Sequence, residues 1–183
     1  MAGARVLLIV LAAAVALLAA RPVAATGGVA GVEEVCRSTP FPDLCTRTAG
    51  KHAEKYKVVD AVTVLEMQVD AFKKRVKAAR RVAKQEVKTA APTPLVRRAL
   101  NLCKSYYLDA GDNLGACKRA IGFRDAVTIR ATMSMVAQDM QNCDEEFRKA
   151  GSTNPMEDHN RSLIEMSEIC RTLSNMVPYE HTH

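Results

Sequence analysis

Apolar positions recur at helical spacing along most of this chain. Val58, Val62, Leu65, Val69, Phe72, Val76, Ala79 and Ala83 advance by alternating steps of four and three residues. That spacing keeps one stripe of a helix apolar and predicts a long amphipathic helix with a heptad seam. The run Thr89-Ala90-Ala91-Pro92-Thr93-Pro94 breaks it. Thr93 suits a helix cap and Pro94 the first turn that follows. Leu95, Ala99, Leu102, Tyr106, Ala110 and Leu114 then mark a second helix. Gly122 and its neighbours interrupt. Ile129, Met133, Val136, Met140, Cys143 and Phe147 mark a third helix. Gly151-Ser152-Thr153 reads as a loop, and Asn154-Pro155-Met156-Glu157 as a helix start with Asn as cap, Pro first and Glu third. Leu163, Met166, Cys170, Leu173 and Val177 complete a fourth helix. No segment has the alternation of a strand, and no internal repeat is visible.

The region before Val58 has a different character. Arg5 precedes an apolar run from Val6 to Ala20, and Val23-Ala24-Ala25 offers the small residues of a cleavage site. This is the pattern of a signal peptide over residues 1–25. The run is shorter than the roughly 20 apolar residues of a membrane span, so an uncleaved anchor is the weaker reading. Thr26 to Gly31 reads as a flexible lead-in. Glu33 to Arg47 holds Pro40 and Pro42 between Cys36 and Cys45, which predicts two short helical pieces around a bend. The expected organisation is a signal peptide (1–25), a lead-in and stapled helical hairpin (26–57), a helical bundle (58–178) and a tail (179–183). Four helices on short loops predict an all-α, up-down-up-down four-helix bundle, with the hairpin docked on it or projecting from it.

Composition narrows the function. The full chain has a net charge of +6 and no Trp. Removal of Arg5 and Arg21 with the leader lowers the charge to +4. That balance does not suggest a nucleic-acid binder, and once the leader is cleaved nothing is expected to hold the chain in a membrane. With few aromatic residues, the core must be built from Ala, Val, Leu and Met. Met133, Met140 and Met166 read as core filler.

Six cysteines follow the leader, so they are read first as disulfide partners. Cys36 and Cys45 would staple the bend. Cys103 and Cys143 fall within a few Å of the same level on antiparallel neighbouring helices and suit a second bridge. Cys117 and Cys170 fit less well. Equal helix starts leave them about 13 Å apart in level. They read as free thiols, or as a pair if the fourth helix is shifted.

Little points to catalysis. His52, His159, His181 and His183 are scattered. There is no Ser/His/Asp motif, phosphate loop or metal-protease helix, and no Cys-x-x-Cys for zinc. No catalytic, cofactor or metal residue is assigned. Lys73, Lys77, Arg80, Lys84 and Lys88 form a basic stripe on the first long helix. It is a candidate contact for an acidic surface, unless its stems merely cover the seam edge. Asn160-Arg161-Ser162 is the one N-glycosylation sequon.

Three stretches carry a family resemblance. Val35-Cys36-Arg37-Ser38-Thr39-Pro40-Phe41-Pro42-Asp43-Leu44-Cys45 resembles the N-terminal cysteine hairpin of plant invertase and pectin methylesterase inhibitors. Ala99-Leu100-Asn101-Leu102-Cys103, with Tyr106 and Ala110, resembles the helix of that family's third cysteine. Asn142-Cys143-Asp144-Glu145-Glu146-Phe147 resembles its fourth-cysteine motif. The resemblance implies a four-helix bundle with an N-terminal hairpin and the bridges Cys36–Cys45 and Cys103–Cys143. Cys170 resembles an extra thiol of the last helix, and Cys117 has no counterpart. It also implies a secreted inhibitor, in the apoplast or vacuole, that binds reversibly and one-to-one over the cleft of a carbohydrate-active enzyme.

The target is less sharply marked. Some invertase inhibitors carry Pro-Lys-Phe near the start of the third bundle helix, where this chain reads Ala126-Val127-Thr128. The Pro-Phe-Pro centre of the hairpin resembles the pectin methylesterase branch. Asp144-Glu145-Glu146 resembles the invertase branch. The expectation is a pectin methylesterase inhibitor, with cell-wall or vacuolar acid invertase as the alternative target. A helical ligand carrier or signalling bundle is the rival class, and an open apolar cavity would favour it.

Overall fold

The computed structural model describes residues 27–89 and 93–178. The expected signal peptide, the tail and residues 90–92 of the interhelical break lie outside them. Among the described residues six α-helices follow one another: α1 Gly28–Cys36, α2 Pro42–Ala49, α3 Ala61–Thr89, α4 Pro94–Gly122, α5 Ala126–Lys149 and α6 Glu157–Ser174. A 3-10 helix, Gly50–Lys55, extends α2. No strand occurs among the described residues.

α3 to α6 form the bundle. Each packs on the next and α3 closes on α6, so consecutive helices are antiparallel and α4 and α6 run the same way. Phe72 and Val76 of α3, Tyr107 and Leu114 of α4, Met133 and Met140 of α5, and Met166 and Leu173 of α6 fill one continuous core. Thr93 caps α4 by accepting the Val96 N–H, and Pro94 occupies the first turn.

The hairpin docks rather than projects. The chain turns between α1 and α2 through the Cys36–Cys45 bridge. Val32, Leu44, Ala49 and Ala53 turn inward. Fully buried Gln68 of α3 then clasps α2: its amide donates to the Cys45 carbonyl at 2.7 Å and accepts from Thr48 Oγ1 at 2.7 Å. Both polar ends of the buried amide are satisfied, which makes its burial affordable and fixes the docking angle.

Several sequence expectations change in detail. The lead-in is not flexible throughout, because α1 already begins at Gly28, drawn in by burial of Val32 and Cys36. Val58 is not part of the seam. It is exposed, and α3 starts only after Asp60 and Thr63 exchange hydrogen bonds, each side chain accepting the other's backbone N–H at 2.8 Å. On α4 the buried line is Cys103, Tyr107, Ala110, Leu114, Cys117 and Ile121. Leu95 is exposed, and Leu102 and Tyr106 sit half-buried beside that line. The helix is turned by one residue so that the Cys103 sulfur and the Tyr107 hydroxyl reach their partners. Asn154 caps a turn rather than the helix: its side chain accepts the Met156 N–H at 2.8 Å, and α6 starts at Glu157.

Candidate functional site

Cys103 and Cys143 are bridged with their Cα atoms 4.8 Å apart, and Cys36 and Cys45 with theirs 5.5 Å apart. The first bridge ties α4 to α5 and the second closes the hairpin. Both hold surface-bearing helices in place without taking part in chemistry.

Cys117 and Cys170 are free and buried. Their register differs from the one expected. Tyr107 Oη donates to Asn160 Oδ1 at 2.5 Å, which sets α4 and α6 level at residues 53 positions apart. Cys117 and Cys170 are separated by the same interval, so parallel helices bring them level too. Equal helix starts are the wrong assumption: α6 is 18 residues long against 29 for α4, and its beginning faces Lys104, about a third of the way along α4. Burial pushes the Cys117 thiol up to about 11, and burial and the proximity of Cys117 push Cys170 up as well. Both stay protonated and unreactive.

Asn160, the sequon residue, is fully buried. Besides accepting from Tyr107, its amide donates to Asp144 Oδ1 at 2.6 Å, and Asn154 donates to the same oxygen at 2.6 Å. The nitrogen that would carry a glycan is enclosed between α4, α5 and α6, so this fold has no room for a sugar there. Desolvation, with Glu157 nearby, raises the Asp144 carboxyl although both amides favour its charged form.

The other two acids beside Asp144 are also engaged. Arg148 pairs with Glu145 and Lys149 with Glu146, each three residues along α5. Exposed pairs of this kind add little stability, but they leave the motif without a free carboxylate. At the start of α5, Ala126 is buried and Thr128 is held by Asp125, which accepts from its backbone N–H at 3.0 Å. Only Val127 of that triplet projects, four residues after the exposed Phe123.

The basic stripe divides. Lys77, Arg80 and Lys84 line a surface groove of about 500 Å³ together with Arg81 of α3 and Lys104 of α4. Lys73 is half-buried and lines an adjoining hollow with His52, Tyr56 and Asp70, which Lys77 also borders. Lys88 is exposed and lines neither. Arg81 and Lys104 escape a reading of one helix face. Lys104, ten residues after Pro94, meets α3 about ten residues before Thr89, a relation that the antiparallel hairpin supplies.

No described helix is long and apolar enough to cross a membrane. No group of three His, Cys, Asp or Glu among the described residues could hold a metal ion. The hollows at the surface are lined chiefly by charged and polar side chains, and the bundle interior is filled by the core residues. A closely packed helical bundle stapled by two disulfides, with its charged side chains outside, defines the class: a rigid binding protein. The model of the plant invertase/pectin methylesterase inhibitor family matches residues 30–173, and the chain belongs to that family. It is an inhibitor of enzymes and not itself an enzyme. Among solved structures, a mutant form of a pectin methylesterase inhibitor from Arabidopsis is similar at a TM-score of 0.66 and 15% identity, covering 85% of this chain and 100% of that one. A pectin methylesterase inhibitor from Arabidopsis thaliana is similar at a TM-score of 0.62 and 15% identity, covering 82% and 98%. At that identity the likeness establishes the shared fold. No curated protein matches the chain.

Proposed function

We propose that the protein is a secreted inhibitor of pectin methylesterase that binds one-to-one over the enzyme's active-site cleft in the plant cell wall. The start of α5 carries this reading. Where some invertase inhibitors present Pro-Lys-Phe, Ala126 is buried, Thr128 is tied to Asp125, and Val127 alone is free. Neither Val127 nor Thr128 supplies the cation or the aromatic ring of that motif, and the exposed Phe123 precedes the helix, outside the triplet. The acidic triplet after Cys143, the feature that leaned towards invertase, is engaged within the fold by Asn154, Asn160, Arg148 and Lys149. Secretion accords with two disulfides, which persist in oxidising compartments. Mechanically, helices fixed by the bridges and by the Gln68 clasp need little ordering on binding, so more of the contact energy appears as affinity.

The test is a titration of the purified protein against pectin methylesterase and acid invertase at acidic pH. Pectin methylesterase activity should fall to a one-to-one endpoint while invertase is unaffected. Loss of invertase activity alone would overturn the target assignment.

A further inference from the structure

Charge is segregated along this chain in a way that its total conceals. Residues 73–108 carry eleven Lys and Arg and a single acid, Glu86. The other 147 residues carry fifteen Lys and Arg and nineteen acids. The basic stretch is the second half of α3 and the first half of α4, folded into one hairpin. Its cations converge on the groove lined by Lys77, Arg80, Arg81, Lys84 and Lys104. Among the described residues none of these five pairs with a carboxylate; Lys104 only donates to the Asn101 amide oxygen at 3.0 Å. Like charges gathered without counterions repel one another, and an anion in the groove would relieve that repulsion.

The shape of the site narrows the anion. Lys77, Arg81 and Lys84 follow one another along α3 over about 10 Å, with Lys104 on the opposite wall. An extended ligand bearing repeated negative charges fits this row better than a single small anion. No apolar side chain lines the groove. Protein interfaces concentrate their binding energy in buried aromatic and apolar anchors. The exposed Phe123 and Val127 lie at the opposite end of α4, and Leu95 and Leu108, exposed on its near half, do not line the groove. A polyanion that is not a protein is the better occupant.

We propose that this groove binds a polycarboxylate polysaccharide, de-esterified pectin, which is the product of the enzyme the inhibitor is proposed to block. The inference rests on that proposed function for its choice of ligand. Hydrolysis of each methyl ester of pectin consumes water, releases methanol and a proton, and leaves a carboxylate. Uronate carboxyls, acidic like an α-carboxyl, are ionised at about pH 6. The neutral ester offers the cations nothing. The groove therefore distinguishes wall already processed by the enzyme from wall not yet processed, and holds the inhibitor on the former.

The experiment measures binding of the purified protein to de-esterified and to highly methyl-esterified oligogalacturonides by calorimetry, at about pH 6 and at two salt concentrations. Tight, salt-sensitive binding to the de-esterified oligomer alone is expected. The double variant Lys77→Glu/Arg81→Glu should weaken it at least about tenfold. The control Lys51→Glu/Lys57→Glu, with the same change in net charge at exposed positions elsewhere, should leave it nearly intact. Equal losses in the two variants would reduce the effect to bulk charge and overturn the site. Equal binding of ester and acid forms, or none, would also overturn it. Inhibition of pectin methylesterase acting on a soluble substrate is measured in parallel. If the groove variant loses inhibition and the wild type ignores the oligomer, the groove is instead a contact for an acidic protein. Binding of the oligomer without inhibition of pectin methylesterase would remove the proposed target and leave the groove assignment standing.

Discussion

Tyr107 is fully buried, so its hydroxyl must find a partner inside the protein, and it finds Asn160 across the core. Asn160 in turn holds Asp144 of α5, so one short chain of hydrogen bonds links three helices. Replacing Tyr107 with Phe keeps the ring and removes the donor, leaving the Asn160 oxygen enclosed and unpaired. The expected cost is about 1–3 kcal/mol, read as a lower midpoint in urea with an unchanged slope. At the same scale, glycosidase treatment of the secreted protein should not change its mobility, since the only sequon nitrogen is inside the fold. The sequon was plain in the sequence and its burial was not. Asn160 sits four residues into α6 on the inward face, and which face turns inward depends on the register that Tyr107 sets.

Among the elements, α3 and α5 follow their sequence pattern closely, because each presents one narrow apolar stripe to the core. α4 does not, because its apolar face is wide. Leu102 and Tyr106 are as hydrophobic as Cys103 and Tyr107, and periodicity cannot choose between adjacent lines. The choice falls to specific partners, a disulfide and a buried hydrogen bond. The two bridges are also unequal as constraints. The Cys103–Cys143 bridge closes a loop of 40 residues and Cys36–Cys45 one of nine. On loop-closure entropy the first contributes about 4 kcal/mol and the second about 2.5. Denaturation of the Cys103→Ser/Cys143→Ser and Cys36→Ser/Cys45→Ser variants should rank them in that order. A larger loss from the hairpin bridge would mean that docking through Gln68, rather than loop closure, governs it.

For the whole molecule, two half-buried acids link stability to pH. Desolvation first, and then Asp109, push the Asp139 carboxyl up to about 6, although Asn113 favours its charged form. Asp144 is raised as well. A raised carboxyl binds a proton in the folded state at a pH where the unfolded chain has released it. Stability therefore falls as pH rises from about 4 to about 6. The protein should unfold at a higher urea concentration at pH 5 than at pH 7. Asp139→Asn, fixed in the neutral form, should be more stable than the wild type at pH 7 and show a flatter dependence. An unchanged profile in that variant would remove Asp139 as the cause. An inhibitor of this construction is best held together in acidic surroundings.

The helices, their breaks, the Thr93 cap and the family were legible in the sequence, because each depends on neighbours within a few residues or on an ordered set of short motifs. The Cys103–Cys143 bridge was legible because adjacent antiparallel helices on a short connection leave little freedom of level. What only the tertiary structure decided involves elements that are not neighbours along the chain. The start of α6 about a third of the way along α4, the meeting of Cys117 and Cys170 at one level, the burial of Asn160 and the addition of Arg81 and Lys104 to the basic groove all follow from how helices slide and rotate against one another. Side-chain packing and buried hydrogen bonds fix those two motions, and periodicity along a single helix carries no record of either.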